Sequence, residues 1–182
     1  MTTQRKPSAF RFLLLLPLLA AVHVHAALIS YTTQSLGGSR YQYDYTITHQ
    51  LGEAPIHLID IEFDPVLYLE SSLNIVSDPL LTADWDQLVL GSQPGLPALF
   101  DLLALGAPLD GGASLSGFAI QFEWLGAGTP GSQTFLVLNP DTFDTVSEGR
   151  TVAAVSVPEP ASWMLALAGL ALALAFRRRS AR

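Results

Sequence analysis

A glycine-rich segment is the first part of this chain whose residue types and spacing suggest chemistry. Gly126-Ala-Gly-Thr-Pro-Gly131 matches the G-x-G-x-x-G pattern of dinucleotide-binding loops. Such a site needs a helix that begins within the motif, so that the helix amides meet the pyrophosphate. The residues that follow, 132–138, are instead typical of a strand. The sequence therefore predicts a flexible hairpin loop here and no nucleotide site.

Two histidines and three acidic residues form the next candidate site, for a metal ion. His49 and His57 precede Asp60, Glu62 and Asp64, but neither an H-E-x-x-H nor a D-x-D-x-D-G pattern is present. We interpret the histidines as surface residues and the three acids as the solvated side of one strand. No metal site and no cofactor are predicted. Weak calcium binding through oxygen ligands stays open as an alternative.

Acidic residues are too numerous to identify a catalytic pair. Fifteen of them lie between residues 27 and 157, whereas glycoside hydrolysis needs two carboxyl groups held across a cleft. The chain has no cysteine nucleophile and no G-x-S-x-G elbow. We therefore expect that the protein is not an enzyme, with an undetected hydrolase as the second alternative.

A stripe of aromatic residues could bind sugars. Tyr41, Tyr43 and Tyr45 share one face of an alternating run, and Trp85 and Trp124 are further candidates for stacking on a sugar ring. Packing of one sheet face against a core explains the tyrosines more simply. A carbohydrate- or calcium-binding module remains the first alternative function.

The charge of the chain is distributed unevenly. Seven of the nine basic residues lie before residue 12 or after residue 176. Residues 27–157, called the passenger below, carry two arginines against fifteen acidic residues, a net charge of −13. Nucleic acid is excluded as a partner because its phosphates would be repelled.

The sequence of the passenger predicts a series of short strands. Its runs are rich in β-branched and aromatic residues or alternate polar with apolar, and Gly, Pro or Asn residues bound them. The predicted strands are Leu28–Gln34, Arg40–Thr48, 59–63, Leu115–Trp124, Gln133–Leu138 and Thr151–Val157. Periodicity alone leaves residues 97–105 as either a short helix or a buried strand. The fold class predicted is all-β, an antiparallel β-sandwich.

The N-terminal 26 residues have the three parts of a secretory signal peptide. A basic start is followed by an apolar run over residues 12–22, and small residues stand at Val24 and Ala26. The expected cleavage lies between Ala26 and Ala27. The secretion machinery is thus an expected partner.

The C-terminal segment 158–182 also has three parts. The tripeptide Pro158-Glu159-Pro160 precedes an uncharged stretch over 161–176, and Arg177-Arg178-Arg179 begins a basic tail, 177–182. Sixteen helical residues reach about 24 Å, short but workable for one transmembrane helix. The arginines resist translocation and are expected to act as a stop-transfer signal.

This order of parts, at the C-terminus of a chain with a signal peptide, resembles the sorting signal of PEP-CTERM proteins. The resemblance implies that Pro158, Glu159 and Pro160 form the sorting motif. It also implies recognition by an exosortase, a membrane-embedded processing enzyme of Gram-negative bacteria, followed by release or transfer to the cell surface. A plain membrane anchor that is never processed is the alternative, because hydropathy does not distinguish the two.

The combined prediction is an exported surface or extracellular-matrix protein. One C-terminal helix would hold it in the inner membrane before it reaches the cell surface or the medium. The β-sandwich passenger is expected to be structural or interactive, with extracellular polysaccharide as a candidate partner.

Overall fold

Strands account for about half of the described part of the chain, residues 27–154 of this computed structural model. These residues form ten strands and two short 3₁₀ helices, the helices spanning Glu70–Ser72 and Pro79–Ala83. The strands are β1 (Leu28–Gly37), β2 (Arg40–Thr48), β3 (Leu58–Phe63), β4 (Asn74–Ile75), β5 (Trp85–Leu90), β6 (Ala98–Ala104), β7 (Ser114–Glu123), β8 (Thr134–Leu138), β9 (Thr145–Arg150) and β10 (Val152–Ala153).

The strands form two five-stranded sheets. The first has the order β10-β1-β2-β7-β4 and the second the order β5-β6-β3-β8-β9. Neighbouring strands are antiparallel, except that β1 and β10 run parallel. Only Thr151 separates β9 from β10, so the chain crosses from the second sheet to the first at this buried residue.

One hydrophobic core lies between the two sheets. Tyr45 of the first sheet meets Phe100 of the second with ring centroids 6.3 Å apart. Phe118 likewise meets Trp85 at 5.7 Å. Since side chains alternate between the faces of a strand, each sheet contributes one apolar face to this core. The prediction of an all-β fold with two facing, mostly antiparallel sheets is confirmed.

The tyrosine stripe belongs to this core. Tyr43 and Tyr45 are fully buried, and Tyr41 packs against the core from a half-buried position. The interpretation of these tyrosines as packing residues is confirmed. The stripe therefore offers no exposed platform on which a sugar ring could stack.

The predicted strands match β1, β2, β3, β7 and β8 closely, and the failures lie at the edges of the sheets. The ambiguous residues 97–105 form β6 rather than a helix. Three edge strands, β4, β5 and β9, were not predicted, and Thr151–Val157 contributes only the two-residue β10 within the described residues.

The interpretation of Asp60, Glu62 and Asp64 as a solvated strand side is wrong for one member. Asp60 and Glu62 lie on the side of β3 that faces away from the core, and Asp64 follows the strand, but Asp60 is only 6% exposed. Strand β3 is the central strand of its sheet, with Asp101 of β6 and Leu136 of β8 directly opposite Asp60. Neighbours on both sides therefore shield its carboxyl group.

No helix within residues 27–154 is long and apolar enough to cross a membrane. The signal peptide predicted for residues 1–26 and the transmembrane helix predicted for residues 161–176 lie outside the described residues.

Candidate functional site

An open cleft of about 840 Å³ lies at one end of the sandwich. Its walls come from the end of β3 and the segment after it, the β5–β6 turn, the β7–β8 loop and the last residue of β9. The apolar lining consists of Pro65, Leu67, Tyr68, Leu96, Pro97 and Trp124. A concave site with apolar walls and a few polar groups is the usual form of a small-ligand site.

Trp124 forms the aromatic wall of the cleft. Its ring meets that of Tyr68 edge-on, with centroids 5.0 Å apart, and an isolated β-bridge joins the two residues. A Cβ atom at Gly126 would stand only 2.6 Å from the Trp124 ring. Glycine is therefore required at this position, and the indole ring is held against the backbone of its own loop.

A chain of buried hydrogen bonds supports the floor of the cleft. The Tyr43 hydroxyl donates to the Gly131 carbonyl at 2.7 Å and lies 3.3 Å from the Tyr68 hydroxyl. Because the Tyr43 proton is thus engaged, Tyr68 donates to Tyr43. Gln133 Nε2 donates to Tyr68 at 3.3 Å, and Gln133 Oε1 accepts from Thr151 at 2.8 Å. These bonds join β2, the β7–β8 loop and Thr151, so the network fixes the β7–β8 loop.

Burial keeps these phenols neutral. Desolvation by burial raises the pKa of Tyr43 far above its ordinary value. Burial also raises the pKa of Tyr68. The two tyrosines therefore act as hydrogen-bonding groups and not as bases at neutral pH.

The polar side of the cleft carries both signs of charge. Its polar lining consists of Glu62, Asp64, Gln93, Ser132, Thr134 and Arg150, together with Gln133. Arg150 is committed to the loop, because it donates to the Ser132 hydroxyl at 3.1 Å and to the Ser132 carbonyl at 2.9 Å. Asp64 accepts from the backbone N–H of Val66 at 2.8 Å. The two carboxylates can accept further hydrogen bonds from a ligand, and the Gln93 amide can both accept hydrogen bonds from a ligand and donate them to it.

A second cluster of acidic residues lies on the outer face of the second sheet. Desolvation, followed by a hydrogen bond with Asp101 and that residue's charge, raises the pKa of Asp60 to about 7. Burial also raises the pKa of Asp101. Asp60 Oδ1 is buried and accepts no hydrogen bond from another residue. Ionised carboxylates only accept hydrogen bonds, so a bond between the two carboxyl groups requires that one of them carry a proton. Neither residue lines the cleft.

The two histidines lie outside the cleft lining. His49 is only 5% exposed, and its Nε2 atom lies 2.8 Å from the Ala54 carbonyl. The interpretation of His49 as a surface residue is therefore wrong, because the turn that follows β2 covers its ring. His57 is half-buried. Within residues 27–154, no group of three or more His, Asp or Glu side chains is arranged to hold a metal ion.

The glycine-rich motif lies in the loop between β7 and β8, and its last residue, Gly131, lines the cleft. A strand follows it, as predicted. The hairpin interpretation is wrong, however, because β7 belongs to the first sheet and β8 to the second. The motif lies in a connection that crosses between the sheets.

The sequence indicated some of the cleft residues as candidates but did not predict that they lie together in one site. Trp124, Glu62 and Asp64 were each weighed separately, whereas Gln93, Gln133 and Arg150 were missed. The predicted sorting residues Pro158, Glu159, Pro160, Arg177, Arg178 and Arg179 lie outside the described residues, as does Ala26. Ala27 is described and is a buried member of the core.

Comparisons with solved structures return β-rich domains at low similarity. One is the chitin-binding domain of Chi18aC from Streptomyces coelicolor, with 20% identity, 60% of this chain and 90% of that chain covered, and a TM-score of 0.37. Another is the seventh ScaB type I cohesin from Pseudobacteroides cellulosolvens, with 12% identity and a TM-score of 0.33. That match covers 72% of this chain and 96% of the cohesin chain. Values this low assign no ligand to the chain.

A family comparison identifies the C-terminal segment. No curated protein matches the chain, but residues 156–179 match the family model of the PEP-CTERM protein-sorting motif. The matched range contains both the Pro-Glu-Pro tripeptide and the three arginines, so the resemblance seen in the sequence is confirmed. Such a motif implies membrane-anchored transit, processing by an exosortase-like enzyme and surface export. The chain is therefore a protein with a C-terminal PEP-CTERM sorting motif behind an all-β passenger.

Proposed function

We propose that this protein is a non-enzymatic component of the cell surface or extracellular matrix, exported and then sorted through its C-terminal signal. The observation that carries the proposal is the PEP-CTERM motif at residues 156–179. It begins two residues after the described passenger, whose last backbone bond ties Ala154 to Tyr31 of β1 at 2.7 Å. A folded domain followed directly by a sorting signal is the arrangement expected of a protein that is exported as one intact domain.

The arrangement of the acidic residues supports a non-enzymatic role. A glycosidase holds two carboxyl groups on opposite sides of a scissile bond. Glu62 lies in β3 and Asp64 directly follows the strand, so both line the cleft from one short chain segment. Asp60 and Asp101 are neighbours on a sheet face. Neither pair brackets the cleft.

Burial of Ala27 is compatible with signal-peptide cleavage after Ala26. Ala27 is only 7% exposed and belongs to the core cluster. Cleavage between the two alanines would leave every core residue in the exported protein. N-terminal sequencing of protein recovered from the native host tests this bond, and Ala27 is the expected first residue.

Replacement of Pro158, Glu159 and Pro160 by alanine tests the sorting proposal. In a host with the processing enzyme, we expect the variant to stay in the membrane fraction at its unprocessed mass. The matched control is Glu53→Ala with Pro55→Ala, which changes the same residue types in an exposed turn and should be processed normally. Processing and release of the triple variant like the wild type would overturn the proposal.

A further inference from the structure

We propose that the cleft beside Trp124 binds a pyranose unit of a polysaccharide that carries no acidic groups. This proposal rests on the proposed surface role and names the kind of partner. It is carried by three features of the cleft: a fixed aromatic wall, planar polar side chains beside it, and the sign of the surrounding charge.

The aromatic wall matches one face of a sugar ring. The axial C–H groups of a pyranose form an apolar patch that packs on an aromatic ring, while its hydroxyl groups point outward in the ring plane. Trp124 is half-buried and lines the cleft. Leu67 continues this wall, since both residues would contact a Cβ atom at Gly126.

The polar groups match the hydroxyl groups of a sugar. Glu62, Asp64 and Gln93 have flat terminal groups that accept from, or bridge, neighbouring hydroxyls. Arg150 is already held by Ser132, so its main effect is to fix the loop. A rigid cleft favours binding, because ordering mobile side chains or loops when a ligand binds costs free energy and lowers the affinity.

The charge of the passenger selects among polysaccharides. The cleft has two carboxylates against one engaged guanidinium, and the passenger as a whole carries −13. A uronic acid polymer would meet repulsion at long range and again within the cleft. Neutral and amino-sugar polymers are free of that repulsion.

Titration of the full-length protein in detergent with three hexasaccharides tests this proposal. The probes are β-1,4-linked glucose, β-1,4-linked glucosamine and galacturonate. We expect binding of the glucose or glucosamine hexamer, and no binding of the galacturonate hexamer at low ionic strength. Absence of binding by both non-acidic hexamers would overturn the proposal, as would galacturonate binding of equal strength.

Three variants locate the site. Trp124→Ala should weaken binding by at least about tenfold, which corresponds to the loss of one stacking surface. Gln93→Ala should weaken it by about threefold, the effect of one net hydrogen bond. Gln93 is exposed and its substitution leaves the backbone of the turn intact, so this variant keeps the test valid if Trp124→Ala does not fold.

The matched control is Phe143→Ala. Phe143 is 70% exposed and does not line the cleft, so its loss should leave affinity unchanged. Equal losses for Phe143→Ala and Trp124→Ala would overturn the location of the site. A proline-rich peptide that displaces the bound hexamer at lower concentration would overturn the ligand class. None of these results depends on processing of the tail, so they are distinct from failure of the sorting proposal.

Discussion

The outer faces of the two sheets differ, although both sheets cover the same core. On the first sheet the outward residues of β2 are Gln42, Asp44, Thr46 and Thr48. Side-chain hydrogen bonds join Gln42, Asp44 and Thr48 to their neighbours. On the second sheet the outward residues of β3, β5, β6 and β8 are mostly leucines, among them Leu58, Leu88, Leu99, Leu103, Leu136 and Leu138. The acidic residues Asp60, Asp86 and Asp101 lie between these leucines.

The difference shows that the outward direction of a side chain does not by itself determine how much of that side chain is exposed to solvent. The first sheet follows the usual pattern of an antiparallel sheet, with an apolar inner face and a hydrated outer face. On the second sheet, cross-strand leucines shield outward groups to the point that Leu58 is 2% exposed and Asp60 is 6% exposed. A carboxylate there costs free energy that a carboxylate on the first sheet does not.

The largest expected effect concerns Asp60 and pH. Because its folded-state pKa is raised to about 7, the folded chain holds a proton that the unfolded chain releases near pH 4. The contribution of Asp60 to the free energy of unfolding should therefore be fully present below pH 4 and be lost as pH rises to 7, by on the order of 4 kcal/mol. Asp60→Asn should remove this loss, because an amide of the same shape has no proton to release over this range.

Urea denaturation at pH 4 and pH 8 measures this effect. The variant should match the wild type at pH 4 and be more stable at pH 8. Asp44→Asn is the control on the first sheet, where it should leave the difference between the two pH values in place. If Asp60→Asn destabilises the protein equally at both pH values, the carboxyl pair does not hold the proton described here.

A smaller effect is expected from truncation of outward apolar residues. Leu58→Ala should lower the free energy of unfolding by about 2 kcal/mol, because the lost methyl groups are buried. Thr46→Ala, on the outer face of the first sheet, should change it by less than about 1 kcal/mol. Equal values from denaturation would contradict the distinction between the two faces.

The smallest effect is expected within the polar network of the first sheet. Gln121 donates to Gln42 at 3.0 Å, and both side chains are half-buried. Because water can replace this donor, Gln121→Ala should cost no more than about 1 kcal/mol. A loss above that of Leu58→Ala would show that the first face depends on its side-chain bonds more than the second depends on its leucines.

Local patterns were sufficient to predict the strands in which polar and apolar residues alternate. Alternation identified β2 and β3 because period-two side-chain placement depends on neighbouring residues only. Strand β9, with the sequence Thr-Val-Ser-Glu-Gly-Arg, was missed because an edge strand of polar composition has no such signal. Its strand state comes from pairing with β8.

The cleft could not be predicted, because its parts are distant in the sequence. Tyr43 and Gly131 are 88 positions apart, yet their hydrogen bond helps to fix the floor. The shielding of Asp60 is a similar case, since Asp101 and Leu136 come from other strands. The sorting motif, in contrast, is a continuous segment and could be recognised from residue order alone.

The parallel pairing of β1 with β10 has a mechanical consequence. Ser30 lies opposite Val152 and Tyr31 opposite Ala153, with both strands running in the same direction. Both strands therefore run along this edge of the sandwich in the same direction. Tension between the segment before β1 and the tail after β10 acts along the strands, so the bonds between them are loaded together in shear and not opened one at a time.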